Sequence, residues 1–443
     1  MKIQLSDHFT YSKLFRFTLP SIAMMVFTSI YGVVDGYFVS NFAGKTAFAA
    51  MNLIMPFVMV LGGMGFMVGT GGTALVSKVL GQRNKATANR YFSMMIEVTL
   101  LLGILLGVLG VVFMEPMARF LKATDEMMAD CVLYGRIVTG FTVAFMLQNV
   151  FQSFLIAAEK PKLGLIATIA AGVTNMVLDA LFVGVFRWGV AGAAIATGLS
   201  QCVGGVFPLM YFLRPNSSLL RFKPAKLAWK PILQACANGS SELMSNVSSS
   251  LVSILYNFQL LRYYGENGIS AYGVLMYVQF IFIAIFVGYS IGCAPVVGFH
   301  YGAENHRELK NMLGKSVLLM GVGGIVLTAL AQGLAEPLAH IFVGYDADLY
   351  TLTVHAFRLF SFTFLLAGFN IFSASFFTAL NNGGVSAAIS FLRTLVFQCT
   401  CVLILPEVMR VDGIWWSNFF AEIGSFLVSL LFLLGMRNKY RYF

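Results

Sequence analysis

A set of landmark residues occurs twice in this chain at a nearly constant separation. The pairs that lie 221 residues apart are Gly44 and Gly265, Gly81 and Gly302, Glu115 and Glu336, Asp125 and Asp346, and Gly192 and Gly413. Arg136 and Arg358 also correspond, with one more residue between them. An offset that holds over this length indicates one unit that has been duplicated, so we expect a fold of two related halves.

Each copy of the unit is too apolar for a water-soluble domain. Of the 443 residues, 58% are hydrophobic and 11% are charged, and the mean hydropathy is +0.80. A soluble protein of this size needs more charged groups to cover its surface. The repeat is therefore a membrane repeat. Such repeats commonly pack as two halves with a binding site between them, which is the architecture of alternating-access transporters.

Twelve apolar stretches are long enough to cross a bilayer, which takes about 20 residues of α-helix. They cover residues 14–41, 50–77, 93–114, 131–157, 163–185, 190–213, 233–261, 271–297, 313–334, 353–379, 385–405 and 414–436. Six fall in each copy, so the sequence predicts an all-α polytopic membrane protein with two pseudo-symmetric six-helix lobes. We place the N-terminal lobe at residues 1–213, a linker at 214–230 and the C-terminal lobe at 231–443.

Lysine and arginine residues are unevenly distributed between the two sides of this topology. Twenty lie on the side of the termini and the linker, among them Lys2, and six lie on the opposite side, among them Lys45. Because basic residues concentrate in cytoplasmic loops, we expect a multi-pass protein of the plasma (inner) membrane with both termini cytoplasmic. The net charge of +10 then reflects orientation and contact with anionic membrane lipid, and we expect no nucleic-acid partner.

No motif in the sequence is typical of catalysis or of a bound cofactor. The six cysteines lack metal or redox spacing, and we find no glycine-rich phosphate loop, nucleophile–base set or zinc pattern. The first apolar stretch is also too long for a cleavable signal peptide. We therefore expect no enzyme, no cofactor and no structural metal. Two lobes with unequal acidic residues favour gated alternation over an open channel.

Four polar residues of the N-terminal lobe are predicted to lie at a similar depth, about 10–15 Å below one membrane surface. They come from the first, fifth and sixth spans and are Asp35, Asn175, Asp179 and Thr197. Two carboxylates in an apolar site cannot both be ionised at low cost, so the pair is expected to load and release a proton. The same oxygens are also suitable ligands for Na⁺. The alternative is a hydrogen-bond network that only joins the three helices.

Three other polar residues are candidates for lining a substrate cavity. Glu242, in the seventh span, has no partner visible in the sequence; it is expected either to contact a cationic substrate or to bond a neighbour such as Asn246. Gln148 and Gln152 share one helix face by their spacing. They either line a cavity or bond to a neighbouring helix.

Arg393 and Glu422 are predicted to form a structural ion pair. They lie at similar depths, near the bilayer midplane, in the adjacent eleventh and twelfth spans. Since an unpaired charge at this depth is costly, a contact between the two side chains is favoured over two separate functional groups.

Several of these segments resemble the multidrug and toxic compound extrusion (MATE) transporters. The resemblance is carried by Val34-Asp35-Gly36, by Asn175 to Asp179, by Gly189 to Thr197, by Leu80 to Asn84 and by its repeat Tyr301-Gly302-Ala303. It extends over essentially the whole chain, since the number of spans and the distribution of basic residues also agree.

The resemblance implies an antiporter that exports organic, often cationic, small molecules in exchange for H⁺ or Na⁺, through a V-shaped central cleft. In the DinF-like branch of the family the coupling residues fall on Asp35, Asn175, Asp179 and Thr197, and Na⁺ would be held at Asp35, Asn175 and Asp179. The other main branch also uses acidic residues of the C-terminal lobe. Here the tenth span has no acidic residue from 359 to 379, which favours the N-terminal site. We expect a monomer.

One relative of this family offers an alternative function. The wider superfamily includes flippases for lipid-linked oligosaccharides, which share the two-repeat architecture and need several cationic residues in the cleft. The spans of this chain contain three arginines, Arg136, Arg358 and Arg393, and more acidic residues than that. This composition favours a cationic substrate.

Overall fold

The computed structural model describes residues 3–443, and for Ser40, Lys45 and Glu266 it describes the backbone alone. Lys2 and the Lys45 side chain, which enter the charge counts above, therefore lie outside the described part. The described residues form helices and connecting loops, with no β-strand among them. The all-α polytopic fold class is thereby confirmed.

The long helices follow the predicted spans in order. We number them α1 (Tyr11–Ala43), α2 (Lys45–Gly81), α3 (Lys85–Val112), α4 (Asp125–Gly140 and Thr142–Ala157), α5 (Pro161–Val185), α6 (Gly189–Leu213), α7 (229–264), α8 (Asn267–Gly302), α9 (His306–Val343), α10 (Ala347–Ala379), α11 (Gly383–Met409) and α12 (Asp412–Tyr440). In the described chain, ten of these helices are long and apolar enough to cross a membrane, and the bent α4 would make eleven. The remaining helix, α7, is continuous but rich in serine.

Most helices are longer than the predicted apolar stretches, because turns of helix made of polar residues extend them at their ends. The third and ninth predicted spans begin at residues 93 and 313, whereas α3 and α9 begin at Lys85 and His306. Side chains cap both starts. The Asn84 carboxamide oxygen accepts a bond from the Thr87 backbone NH, and that of Asn305 accepts one from the Glu308 NH. Caps of this kind stabilise turns that hydropathy alone does not detect.

The fourth predicted span, 131–157, is not one straight helix. Its two pieces meet at an angle of 54° on either side of Phe141, which has non-helical backbone angles. The Phe141 ring lies directly against the backbone of Gly198 in α6, where a side chain would leave no room for it. The bend therefore directs an aromatic side chain into a contact between helices that the apolar pattern could not indicate. A short helix at Met114–Phe120, also not predicted, precedes α4.

Backbone conformation repeats at the same offset as the sequence landmarks. Gly44 joins α1 to α2 with φ of +100°, and Gly265 joins α7 to α8 with φ of +64°. Arg83 and Glu304, also 221 residues apart, both have positive φ, at 61° and 53°. Positive φ is uncommon outside glycine, so its recurrence at matched positions is a specific structural correspondence.

The two halves meet where helix backbones touch. A Cβ atom added at Gly81 of α2 would overlap the backbone oxygen of Phe299 in α8, and one added at Gly302 would overlap that of Lys78. This contact is reciprocal, because Lys78 and Phe299 are themselves 221 residues apart. Only glycine permits so close an approach of two helix backbones.

A second crossing joins α2 to α7 by the same device. Gly71 lies against the backbone oxygen of Ala235, and Gly239 lies against that of Met67. α1 crosses α8 nearby, where Gly288 faces the backbone of Ile22. We call the end of the bundle that carries these crossings and residues 214–228 the linker end.

The opposite end of the molecule is not joined in this way. A buried apolar cluster at that end includes Val39, Ala50, Met114 and Val190, and all its described members come from the N-terminal half. The larger cluster contains residues of both halves. The two groups of six helices are therefore in contact at the linker end and separate toward the other end, which leaves a V-shaped cleft between them.

Gly302→Ala is expected to lower stability by about 1–3 kcal/mol, because the new Cβ would overlap backbone atoms and not a movable side chain. Thermal unfolding of the purified protein in detergent measures the effect. Gly321→Ala on α9 is the matched control, since nothing lies within 4 Å of its added Cβ. Equal unfolding temperatures for the two variants would contradict the importance of the crossing.

Candidate functional site

Two carboxyl groups lie together inside the N-terminal half. Asp35, on α1, is 7% exposed, and Asp179, on α5, is fully buried. α1 packs along α5 and α5 packs along α6, and this arrangement brings the two carboxyl groups close enough to interact electrostatically. Two carboxylates this close need a shared proton or a bound cation to neutralise them. The pair is therefore a site that can take up positive charge.

A change in helix type marks both acidic residues. α1 becomes π-helical at Val39–Ala43, one turn after Asp35, and α5 becomes π-helical at Ala180–Val185, directly after Asp179. The two π-helical segments also contact each other. Such turns are rare and occur frequently at functional sites, because the extra residue changes the direction in which side chains point.

Several buried oxygens at this place lack a hydrogen-bond partner. They are one oxygen of Asp35, both oxygens of Asp179, the carboxamide oxygen of Asn175 and the hydroxyl oxygen of Thr197. Buried polar atoms are normally bonded, so a group of orphaned acceptors on three neighbouring helices fits a site for a proton or a hard cation. All four residues predicted for the site belong to this group. No direct bond from Asn175 or Thr197 to either carboxylate occurs in the described structure.

Two tyrosines belong to the same site, and sequence analysis missed both. Tyr134, on α4, is 2% exposed and lies close enough to both carboxylates to interact with them electrostatically. Tyr31 precedes Asp35 by one turn and accepts a hydrogen bond of 3.4 Å from the Gln148 amide. The spacing of Tyr31 from Asp35 is a signal that a helical pattern contains. Nothing in the sequence around Tyr134 connects it with the acid pair.

Gln148 and Gln152 face the interior of the N-terminal half. Each is 4% exposed, and together with Thr168 they line a cavity of about 10 Å³ between α4, α5 and α6. This space holds about one water molecule. In this conformation the two amides therefore line a small internal cavity of the N-terminal half.

Glu242 lies between helices of both halves. Its neighbours on α7 face α2, where Gly63 contacts Asn246, and α10, where Asn238 donates to the backbone oxygen of Thr378. The Asn246 amide bonds to the Glu242 backbone oxygen and not to its carboxylate. Among the described residues, this carboxylate has no hydrogen bond or ion pair. Glu242 is thus an acidic residue that lies between helices of both halves and has no bonded partner among the described residues.

Arg393 and Glu422 are in contact inside the C-terminal half. The Arg393 guanidinium donates to both carboxylate oxygens of Glu422, with N–O distances of 2.7, 2.9 and 3.1 Å. The amide of Asn370 adds a bond of 2.6 Å to the same carboxylate, a partner that the sequence did not indicate. Glu422 is 1% exposed, so the pair neutralises a charge that is almost completely removed from solvent.

The C-terminal half has no acid pair at the corresponding place. The residues 221 positions after Asp35 and Thr197 are Tyr256 and Asn418. The Tyr256 hydroxyl donates to the Asn418 carboxamide oxygen at 3.0 Å, and Tyr256 also stacks on Tyr272. A neutral, hydrogen-bonded pair therefore occupies this position, and among the described residues the buried acid pair belongs to the N-terminal half.

A helical membrane protein of two lobes, with a cleft between them and a buried acid pair in one lobe, has the architecture of an alternating-access transporter. The family model described as MatE matches residues 20–181 and 243–402, one match in each half of the chain. The chain belongs to this family, the multidrug and toxic compound extrusion (MATE) transporters.

Relatives and solved structures agree with this assignment. The multidrug export protein MepA of Staphylococcus haemolyticus (strain JCSC1435) is 23% identical, over 99% of this chain and 97% of that protein. A structure described as the outward-facing conformation of a multidrug resistance MATE family transporter of the MOP superfamily superposes with a TM-score of 0.91 at 20% identity, covering 97% of this chain and 96% of the other. A MATE structure in a straight conformation gives a TM-score of 0.89 at 21% identity, covering 96% of each chain.

Arg393→Met alone is expected to destabilise the protein by about 3–5 kcal/mol, because it leaves the Glu422 carboxylate buried without its partner. The double variant Arg393→Met/Glu422→Gln should recover most of this loss, since the new amide still accepts the bond from Asn370. Arg358→Met, which breaks the exposed pair with Glu336, should cost less than about 1 kcal/mol. Thermal unfolding in detergent tests the series, and a double variant no more stable than Arg393→Met would refute the pairing argument.

Proposed function

We propose that this protein is a secondary active efflux transporter, an antiporter that exports organic, often cationic, compounds in exchange for H⁺ or Na⁺ by alternating access. The observation that carries the proposal is the buried Asp35–Asp179 pair, which lies in one lobe beside a cleft between two lobes. Membership in the MATE family and the likeness to multidrug export proteins support the direction and the substrate class. The protein acts as a monomer in the plasma membrane.

The orientation follows from the basic residues. The linker end carries most of the lysines and arginines, so it faces the cytoplasm, and both termini lie on that side. The closed glycine crossings are then at the cytoplasmic end, and the cleft opens to the outside. The described conformation is accordingly the outward-facing one, in which substrate leaves and the coupling ion enters.

The coupling step takes place at the N-terminal acid pair. H⁺ or Na⁺ neutralises Asp35 and Asp179, with Asn175 and Thr197 as further oxygen ligands for Na⁺. Neutralisation removes the repulsion between the carboxylates and lets α1 repack against α5 and α6, which changes the wall of the cleft. Glu242, which lies between helices of both lobes, is the proposed contact for the positive group of the substrate, because no described residue bonds to its carboxylate.

The arginines of the spans make the flippase alternative less suitable. Arg393 is bound by Glu422, Arg358 by Glu336, and Arg136 donates to the backbone oxygen of Val111. All three guanidinium groups are engaged, whereas a pyrophosphate headgroup requires free ones. A cationic cargo and an acidic acceptor are therefore the better match.

Asp35→Asn and Asp179→Asn should each reduce gradient-driven efflux at least tenfold, because an amide fixes the neutral form and prevents the cycle of loading and release. The measurement is transport of a fluorescent organic cation by purified protein in liposomes, with the pH gradient and the Na⁺ gradient imposed separately. The gradient that drives wild-type transport identifies the ion.

Glu336→Gln is the matched control for this experiment. It removes an exposed carboxylate of the C-terminal lobe that pairs with Arg358 on the same lobe, so transport should remain near the wild-type rate. If either aspartate variant transports at the wild-type rate, coupling must depend on another residue, and Glu242 is the next candidate. If neither gradient drives efflux by the wild-type protein, the antiporter proposal itself is rejected.

A further inference from the structure

Residues 3–10, the segment before α1, lie across the boundary between the lobes at the linker end. Leu5 and Phe9 of this segment are fully buried in the apolar cluster that contains residues of both lobes. We call residues 3–10 the strap. Its C-terminal neighbour is Tyr11, where α1 begins, so the strap is covalently part of the N-terminal lobe.

Glu308 of the C-terminal lobe holds the strap. One of its carboxylate oxygens accepts a bond of 2.9 Å from the Phe9 backbone NH, and the other lies 2.7 Å from Nδ1 of His8. The Phe9 carbonyl in turn accepts bonds from Asn311, at 2.9 Å, and from Lys315, at 2.6 Å. Both backbone polar groups of one buried residue, Phe9, are thus bonded by three side chains of α9. Glu308 is 4% exposed, so these bonds are protected from water.

The Glu308 carboxylate does not cap the start of its own helix, although its position would suit that role; within α9 it accepts a bond of 2.7 Å from the Asn311 amide. It is the third residue after the N-cap Asn305, where a glutamate commonly turns back to the backbone NH of the cap residue. The Asn305 NH instead bonds to the backbone oxygen of His300, which leaves the Glu308 carboxylate for the strap. The first turns of α9 therefore present a carboxylate, an amide and an ammonium group to a segment of the other lobe.

The strap has no slack that would let the lobes separate while these bonds persist. The Leu5 NH donates to the Glu159 carboxylate of the N-terminal lobe at 2.9 Å, and α1 begins at Tyr11. Phe9 therefore lies between two attachments to its own lobe. Two residues of extended chain span at most about 7 Å, so opening of the linker end must break the bonds from Phe9 to α9.

The covalent linker between the lobes differs from the strap in this respect. It is bound to α3 of the N-terminal lobe through backbone NH groups at Arg221, Lys223 and Ala225, and it enters α7 at Trp229. The chain between Ala225 and Trp229 allows the lobes to move while the linker stays bound to α3. The linker thus permits opening, and the strap opposes it.

From these contacts we propose that the strap is a latch, and that Glu308 is the positioning residue that holds the linker end closed until α9 releases Phe9. Release of the latch is a necessary step in the change to the conformation that is open at the linker end. The proposal requires that the lobes alternate, as proposed above. It does not depend on which ion drives the cycle or on which side of the membrane the linker end faces.

The latch can be tested by the accessibility of the closed end. Ser77 of α2 is fully buried against Gly298 of α8 at this end, and Ser77→Cys supplies a thiol that becomes accessible only when the lobes separate there. The labelling rate with a maleimide is measured on the full-length protein in lipid nanodiscs, where both faces are exposed to reagent. Protein with Ser77 intact gives the background from the six native cysteines.

In this background Glu308→Ala is expected to raise the labelling rate roughly tenfold, the effect of losing a buried hydrogen bond to a charged group. Lys315→Met removes one donor to Phe9 and leaves no buried charge unpaired, so it should give a smaller rise in the labelling rate. This variant provides the test if Glu308→Ala does not fold. Glu336→Ala, at the other end of α9, is the matched control and should leave the rate unchanged. The latch is refuted if Glu308→Ala and Lys315→Met label at the wild-type rate, or if Glu336→Ala raises it equally.

These results separate the latch from the proposed transport function, because labelling uses no gradient and no substrate. If the latch exists but the protein shows no ion-driven efflux, Glu308→Ala still labels faster than Glu336→Ala. If the protein transports normally but has no latch, the two variants label at the same rate.

Discussion

The contact of backbone against backbone at the linker end is the constraint on which the rest of the structure depends. Gly81 with Gly302, and Gly71 with Gly239, bring helices of the two lobes closer than any side chain would allow. Lipid cannot drive apolar helices together as water does, so close packing of small residues must hold such an interface. Because the crossings lie at one end, the lobes diverge toward the other, and the cleft is a consequence of where the glycines are placed.

Duplication produced two similar lobes, and a few substitutions made them different in chemistry. The site that holds Asp35 and Thr197 in the first lobe holds the neutral Tyr256–Asn418 pair in the second. The second lobe instead buries an acid, Glu422, but neutralises it permanently with Arg393. A permanently paired charge is suited to structure, whereas an acid pair without a fixed cation can change its state. The asymmetry therefore places the acid pair, and with it the proposed charge-driven change, in the first lobe.

The sequence predicts the general architecture well, because hydropathy and the repeat are properties that each span shows by itself. The contact of Arg393 with Glu422 could also be predicted from the sequence, because it depends on the depth of each residue along two adjacent helices. Residues that depend on how helices are rotated were not predicted. Tyr134, Asn370 and the bend at Phe141 follow from packing between α4, α6 and α10. The strap was missed because it precedes the first apolar stretch, where no periodic pattern exists to interpret.

α1 connects the three features on which alternation depends. Near one end it carries Asp35, in its middle it crosses α8 at Ile22 and Gly288, and its other end continues directly into the strap. α1 is one continuous helix from Tyr11 past Asp35, with Pro20 inside it, so the repacking proposed at the acid pair would also move its start relative to α9. The start of α1 is separated from the Phe9 peptide by one residue, and little movement there is needed to strain the bonds to Glu308. The two proposals together would thus couple charge at one end of α1 to closure at the other through a single element, without a relay of side chains between them.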